Sequence, residues 1–481
     1  MFAGHSHQHA FNSFQPTTPE GLVLKSRRNM LKASMAGLAG LSLPGLMQRK
    51  AEAAKSGEYI ANGKSVILLW MTGGASHIDT WDMKPDRPDN NRGPFSPVAT
   101  KVPCVHICEH FPLQAAMQDK ITIIRSVDCR HSNHEPNMVM QTGFAGAAPR
   151  SNRKGDRFPS IASLCSKFRG SNDASMPPYV AFMKNHSHIA FAGDAGKKHD
   201  PFIANDAARL PIYDLLGNDT GNKSSGNRFA LPGQLSHERI RNRQELVSGF
   251  DRLRKEIDQS GSMASLDTYR QQAVDLLIGQ KAQAAFDLEQ ETADMRERYG
   301  DHLWCQQTLL ARRLVEAGTS FVTLDLSYHS ASGTWDNHGI PGGVYGGISK
   351  GLKPLLPLFD RLFTTLVSDL EERGKLDDVL VIGMGEFGRT PNMGTQGSQD
   401  GRNHWQNCMS MVMAGGGLNH GQVIGATEQD GGNILERPVT PGDLAATIYK
   451  HMGVPLHEHY IDGSGRPNFI VENGAPIAEL F

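Results

Sequence analysis

A chain of 481 residues, 39% hydrophobic and 21% charged, has the apolar material for a substantial core and room for one large domain or two to three ordinary ones. Its 49 basic side chains nearly balance 50 acidic ones, and no long Lys/Arg run occurs, so nucleic-acid binding gets no electrostatic support. Histidine is frequent, at 20 residues, and many lie beside Asp, Asn or Gly, a composition that leans toward a metal site.

The chain opens on an address. Ser26-Arg27-Arg28-Asn29-Met30-Leu31-Lys32 resembles a twin-arginine export signal, a receptor-read label for folded cargo. The apolar stretch from Ala33 to Met47 is too short and Gly-rich to be a good membrane span, and Ala51-Glu52-Ala53-Ala54 offers a small-residue cleavage site. Residues 1–54 are therefore expected to be a signal peptide and 55–481 the mature chain. The mature protein is expected in the periplasm or secreted, handed over by the twin-arginine export machinery and with no stable membrane span. Six cysteines, at 104, 108, 129, 165, 305 and 408, form no CxxC pair and no zinc box; they read as buried or disulfide-bonded.

Along the mature chain, apolar runs mark buried strands that feed Gly-rich or polar loops. They lie at 65–71, 121–127, 179–182, 320–326, 378–384 and 410–414. Helical spacing fills Cys305 to Ala317, ending at Gly318, and Leu352 to Arg373, ending at Gly374. Strands alternating with helices predict an α/β fold, a largely parallel sheet covered on both faces, with its active site at the carboxyl ends of the strands. The stretch from about 197 to 300 reads differently: Ser236 to Gly300 is charged and helix-prone, and is expected to be an inserted helical region against the sheet.

Four polar clusters follow the strands. Gly73-Gly74-Ala75-Ser76-His77-Ile78-Asp79-Thr80-Trp81-Asp82 offers His77, Asp79 and Asp82 as metal contacts, or its aspartates as ordinary turn caps. Arg130-His131-Ser132-Asn133-His134-Glu135 precedes a short helical stretch, whose N-terminus favours anions. Ser132 there is a candidate nucleophile or simply an N-cap. Thr334-Trp335-Asp336-Asn337-His338-Gly339 is the most ligand-like, because Asp-x-His lets a carboxylate and an imidazole converge on one divalent ion. Gly385-Glu386-Phe387-Gly388-Arg389 and Arg402-Asn403-His404-Trp405 place Glu386 at a strand end and His404 beyond a loop. Arg389 or Arg402 could clamp an oxyanion, or Glu386 and Arg389 could be a structural ion pair.

Taken together, these strings resemble one bacterial family, the domain of unknown function 1501. Gly421-Gln422-Val423-Ile424-Gly425-Ala426-Thr427 and the helix-like Thr440-Pro441-Gly442-Asp443-Leu444 belong to the same resemblance. The family is similar in fold to the alkaline phosphatase and sulfatase superfamily. The resemblance implies an alkaline-phosphatase-like three-layer αβα sandwich and a metal-dependent hydrolase of sulfate or phosphate esters. It also implies a divalent ion (zinc, calcium or magnesium) and an anionic ester or sulfated carbohydrate as substrate. Asp79, Asp336, His338, Glu386 and His404 are the implied ligands; Ser132 or water would attack, and Arg389 or Arg402 would hold the anion. Two departures matter. No Cys or Ser is followed by x-Pro-Ser-Arg, so formylglycine chemistry is not expected. Phe387 stands where a His is usual, which opens the alternatives of a one-metal site or a catalytically degenerate carbohydrate- or surface-binding protein.

Overall fold

The apolar runs become the middle layer of the protein. The computed structural model describes residues 62–132, 134, 138–147, 157–226, 280–330, 333–340, 346–395 and 397–481. The twin-arginine segment and residues 227–279 of the expected helical insertion lie outside them. An eight-stranded sheet contains β1 (Ser65–Trp70), β2 (Ile121–Val127), β3 (Tyr179–Phe182), β4 (Phe202–Ile203), β5 (Phe321–Asp325), β6 (Val379–Met384), β7 (Met409–Gly415) and β8 (Gln422–Ile424). Its order is β8-β2-β7-β6-β1-β5-β3-β4. All neighbours pair in parallel except at β7, which runs antiparallel to both β6 and β2.

The reversed strand matters for the site. Residues that follow the other strands and residues that precede β7 emerge at one edge of the sheet. His404, just before β7, thus arrives beside the loops after β1, β5 and β6.

Every residue of β1, β5, β6 and β7 is buried, which is why these strands read as continuous apolar runs without alternation. Alternate side chains still divide between two cores. Ile67, Leu69, Val322, Leu324 and Val381 face a layer holding α2 (Leu303–Ala317) and α3 (Lys353–Glu372). Val66, Leu68, Trp70, Leu380 and Ile382 face a layer holding α1 (Ile161–Phe168) and α4 (Pro441–Met452). The result is a three-layer α/β/α sandwich. Helix boundaries follow local chemistry: α2 ends at Gly318 (φ 120°), and α4 starts with a reciprocal Thr440/Asp443 capping box and stops at Gly453 (φ 76°).

The stretch from about 197 to 300 is not helical throughout. Among the described residues its first part holds β4 and a hairpin of Pro211–Tyr213 with Asp219–Lys223, and α-helices stand at Gln280–Phe286 and Ala293–Tyr299. The charged helix-prone pattern began at 236, so it carried no information about the residues before it. The six cysteines are free thiols, five of them buried. Among the described residues no helix is long and apolar enough to cross a membrane.

Helix α4 carries a titratable group into the core. His451 is buried, and its Nε2 lies 3.0 Å from the Ser65 carbonyl oxygen at the start of β1. Burial, helped by nearby Lys64 and Arg169, pushes its imidazole down to about 4. The unfolded chain takes up a proton near pH 6.5 while the folded one stays neutral, so stability falls as pH drops from about 6.5 toward 4. Between pH 7 and 5 this residue is expected to contribute roughly 2 kcal/mol of that loss. Urea denaturation at the two pH values should show a drop smaller by about that amount in His451→Gln.

Candidate metal centre

Four side chains from three loops meet at the carboxyl edge of the sheet. His134, Asp336, His338 and His404 each offer one ligand atom, and these atoms lie within 4.8 Å of one another. His404 Nε2 is 2.7 Å from His134 Nε2, 2.9 Å from His338 Nε2 and 3.2 Å from Asp336 Oδ1. His338 Nε2 is 2.8 Å from the same Asp336 oxygen, and His134 Nε2 is 3.4 Å from the other. His134, Asp336 and His338 are buried; His404 is about one-third exposed and forms the open side.

The donor chemistry decides what fits here. An imidazole nitrogen carries at most one proton, so His404 Nε2 can donate to only one of its three neighbours. The remaining lone pairs would face each other in a poorly solvated space. A cation at their centre satisfies all of them at once. Three nitrogens and one carboxylate suit zinc or a similar borderline ion, whereas calcium and magnesium prefer oxygen shells.

A buried guanidinium sets the carboxylate's charge. Arg389 Nη2 donates to Asp336 Oδ1 at 2.6 Å. Burial alone would raise the Asp336 carboxyl, but Arg389 and the three imidazoles outweigh it and hold it well below the usual carboxylate range. Burial likewise opposes charge on His134, yet Asp336 and Glu386 raise its pKa above the ordinary value. His404 has weaker compensation: burial, aided by Arg389 and His134, pushes it down to about 4 despite Asp336.

The loops converge because their backbones can touch. Gly73 has φ 117°, and a Cβ there would lie 2.3 Å from the Asp336 amide nitrogen. Only glycine allows that approach. Phe387, where a ligand His is usual in the resembled superfamily, packs its ring 4.8 Å from His134 and 4.9 Å from His404, fixing both imidazoles sterically.

The predicted residues separate into two groups. Asp336, His338 and His404 come together, and His134 joins them. Sequence reasoning quoted His134 but gave its cluster's role to Ser132. Glu386 stands one step behind: its Oε1 accepts from the Gly73 amide at 2.8 Å and lies 2.8 Å from His134 Nδ1. It thereby orients the imidazole rather than joining the four, as outer carboxylates do for metal-bound histidines. Asp79 is not in the cluster. It is buried against Arg402, with Nε to Oδ2 at 2.7 Å, and also accepts from Ser76 Oγ. Arg402 further donates to the carbonyls of Thr390, Pro391 and Asn91, and Arg389 to those of Gly73, Gly74, Trp335 and its neighbour Arg402. Both guanidiniums are fully buried and committed to loop architecture, so neither stands open as an anion clamp. Ser132 is buried, and its Oγ has no hydrogen-bond partner among the described residues.

The fold and this site define a class: a three-layer α/β protein with a His₃Asp constellation at the carboxyl edge of its sheet. The chain belongs to the family described as "Protein of unknown function (DUF1501)", whose model matches residues 63–481. No curated protein matches it. Among solved structures it is similar to Ps i-CgsB in complex with k-i-k-neocarrahexaose, at 10% identity and TM-score 0.39, over 82% of this chain and 72% of that one. It is similar to the PsFucS1 sulfatase from Pseudoalteromonas sp., at 12% identity and TM-score 0.35, over 84% and 70%. It is also similar to the phosphonate monoester hydrolase SpPMH from Silicibacter pomeroyi, at 12% identity and TM-score 0.30, over 86% and 75%. Likenesses at this level concern the fold alone.

The Asp79–Arg402 pair yields a direct test of its structural role. Removing one partner of a buried pair leaves an uncompensated charge, which costs about 3–5 kcal/mol. Arg402→Met should lower stability by that order in urea denaturation. The double variant Asp79→Leu/Arg402→Met should recover a large part of it, as two apolar side chains replace two charges.

Proposed function

We propose that the protein is an exported, metal-dependent hydrolase of sulfate or phosphate esters that works without formylglycine. The observation that carries this reading is the convergence of three imidazole Nε2 atoms and one carboxylate at a sheet edge that is open on the His404 side. A bound zinc-class ion would polarise an ester oxygen and lower the pKa of an attacking hydroxyl or water. Charge supports an anionic substrate: a dication and the Arg389 guanidinium together outweigh the carboxylates of Asp336 and Glu386. A sulfated carbohydrate is one such ester.

The chain's own residues have distinct tasks in this reading. Glu386 accepts from His134 Nδ1–H and so leaves the Nε2 lone pair directed at the cluster. Arg389 keeps Asp336 ionised. Phe387 packs against the His134 and His404 rings, and His134, Asp336 and His338 are buried. Ser132 is the candidate nucleophile, two residues from His134, with a hydroxyl that has no hydrogen-bond partner among the described residues. Export rests on the Ser26–Lys32 motif, and a periplasmic or secreted location follows from it.

A second reading, a non-catalytic carbohydrate- or surface-binding protein, draws on a different observation. Four protein donors would be enough to fill the shell of a structural zinc-class ion, and both expected anion clamps are spent on backbone carbonyls.

Purified mature protein loaded with zinc should hold close to one ion per chain by elemental analysis. Asp336→Asn should lose most of it, and Glu386→Gln should weaken zinc affinity by about 10–100-fold. Metal-loaded protein should turn over aryl sulfates or aryl phosphates above the level of Asp336→Asn. Stoichiometric metal without turnover of either ester class would favour the binding reading. No metal at any loading would reject the metal-dependent one.

A further inference from the structure

A second cavity, of about 210 Å³, lies at the same sheet edge beyond β5 and β3. It contains none of the four clustered ligands, yet its wall is tied to their loop. Ser327 and Tyr328 line it, and both hydrogen-bond Thr334, two residues before Asp336: Tyr328 N donates to Thr334 Oγ1 at 2.8 Å, and the two hydroxyls of Ser327 and Thr334 lie 3.2 Å apart.

Three features of the wall point to a ligand. The first is aromatic. Tyr213 is half-buried and lines the cavity with Tyr328, their rings stacked at 5.7 Å and 20°; Trp304 stacks behind Tyr328 at 4.5 Å, and Trp335 beyond it at 6.3 Å. The wall is thus a rigid aromatic ladder that ends beside Asp336. The second is an orphan. Gln307, on α2, is 7% exposed and lines the cavity, and its Oε1 has no hydrogen-bond partner among the described residues. A buried carbonyl left unpaired costs about 1–3 kcal/mol, a cost with no structural return here. The third is charge. The lining holds Lys184 against two carboxylates, Asp206 and Asp325, so it does not attract an anion. Asp325 is already committed, 2.8 Å from both His188 Nδ1 and the Lys184 amide nitrogen.

A ring with an apolar C–H face and hydroxyl donors on its rim meets all three conditions. We infer that this cavity is a subsite for one neutral pyranose ring of the substrate, stacked on Tyr213, whose ring Tyr328 and Trp304 back, and donating a hydroxyl hydrogen bond to Gln307 Oε1. The volume is below the roughly 300–1,000 Å³ of drug-sized sites and suits a single ring. The inference deepens the proposed function, because it rests on a sugar-bearing substrate; it says that the ring held here carries no sulfate of its own.

The test uses saturation-transfer NMR and titration of the full mature chain with methyl glucopyranoside and methyl galactopyranoside, with sulfated galactopyranoside as the anionic comparison. A methyl pyranoside of about thirteen non-hydrogen atoms at about 0.3 kcal/mol per atom gives a Kd in the millimolar range. At least one neutral ring should bind in that range, and the sulfated ring should bind more weakly. Tyr213→Ala should weaken binding at least tenfold, while Tyr213→Phe, which keeps the ring, should stay within about twofold. Gln307→Leu should weaken binding at least fivefold and raise the melting temperature, because it removes an unsatisfied carbonyl. A merely structural glutamine would instead lose stability. The inference is overturned if neither neutral ring binds, if the sulfated ring binds better, or if Tyr213→Ala and Gln307→Leu leave affinity unchanged. Zinc content and aryl-ester turnover report separately on the proposed hydrolase, so failure of one reading does not mask the other.

Discussion

One buried guanidinium holds the candidate site together. Arg389 sits at the carboxyl end of the sheet with no exposed surface, and its donors run to the loop after β1, to the loop after β5 and to the segment leading into β7. Its charge is paired with Asp336, so the ionised carboxylate and the cation each make the other's burial tolerable. The loop geometry, the ionisation of Asp336 and the meeting of His134, His338 and His404 all depend on this contact. The same contact has a chemical consequence. An arginine fully engaged by backbone carbonyls and Asp336 has no donor left to grip a substrate directly.

Much of this was legible in the sequence, for identifiable reasons. Strands buried on both faces need uninterrupted apolar residues, so β1, β2, β3, β5 and β6 announced themselves as runs such as Ile67-Leu68-Leu69-Trp70. Hydrophobic pattern reports burial and not direction, so the antiparallel sense of β7 was invisible, although it is what delivers His404 to the right edge. The Asp-x-His string at 336–338 was readable because local spacing brings both groups to one point. Asp79 and Glu386 also stood among the candidate ligands. What separates them from true members of the cluster is the partner each meets across more than 250 residues: Arg402 for one, His134 for the other. His134 carried a signal, an imidazole just after a buried strand, but the neighbouring serine offered a more familiar chemical role. The segment from 197 to 226 was misjudged because its helical expectation was extended from downstream residues, whereas Pro211–Tyr213 and Asp219–Lys223 pair around a turn that contains Gly217.

The two functional readings share a fold and a donor set and differ in what happens beyond the fourth ligand. Structural ions are closed off, while catalytic ions keep a position for water or substrate. Here three donors are sealed under Phe387 and the loops, and His404 alone reaches solvent, so access comes from its side. The aromatic wall that begins at Trp335 and ends at Tyr213 runs outward from the same loop. The one loop, 333–338, supplies both the Asp336/His338 pair and the base of the ladder.

X-ray absorption at the zinc edge of metal-loaded mature protein tests the central claim most directly. The account predicts a first shell of three imidazole nitrogens and one or more oxygens at about 2.0–2.1 Å, with no sulfur. A shell containing thiolate from any of the six cysteines, or an all-oxygen shell without imidazole scattering, would contradict it.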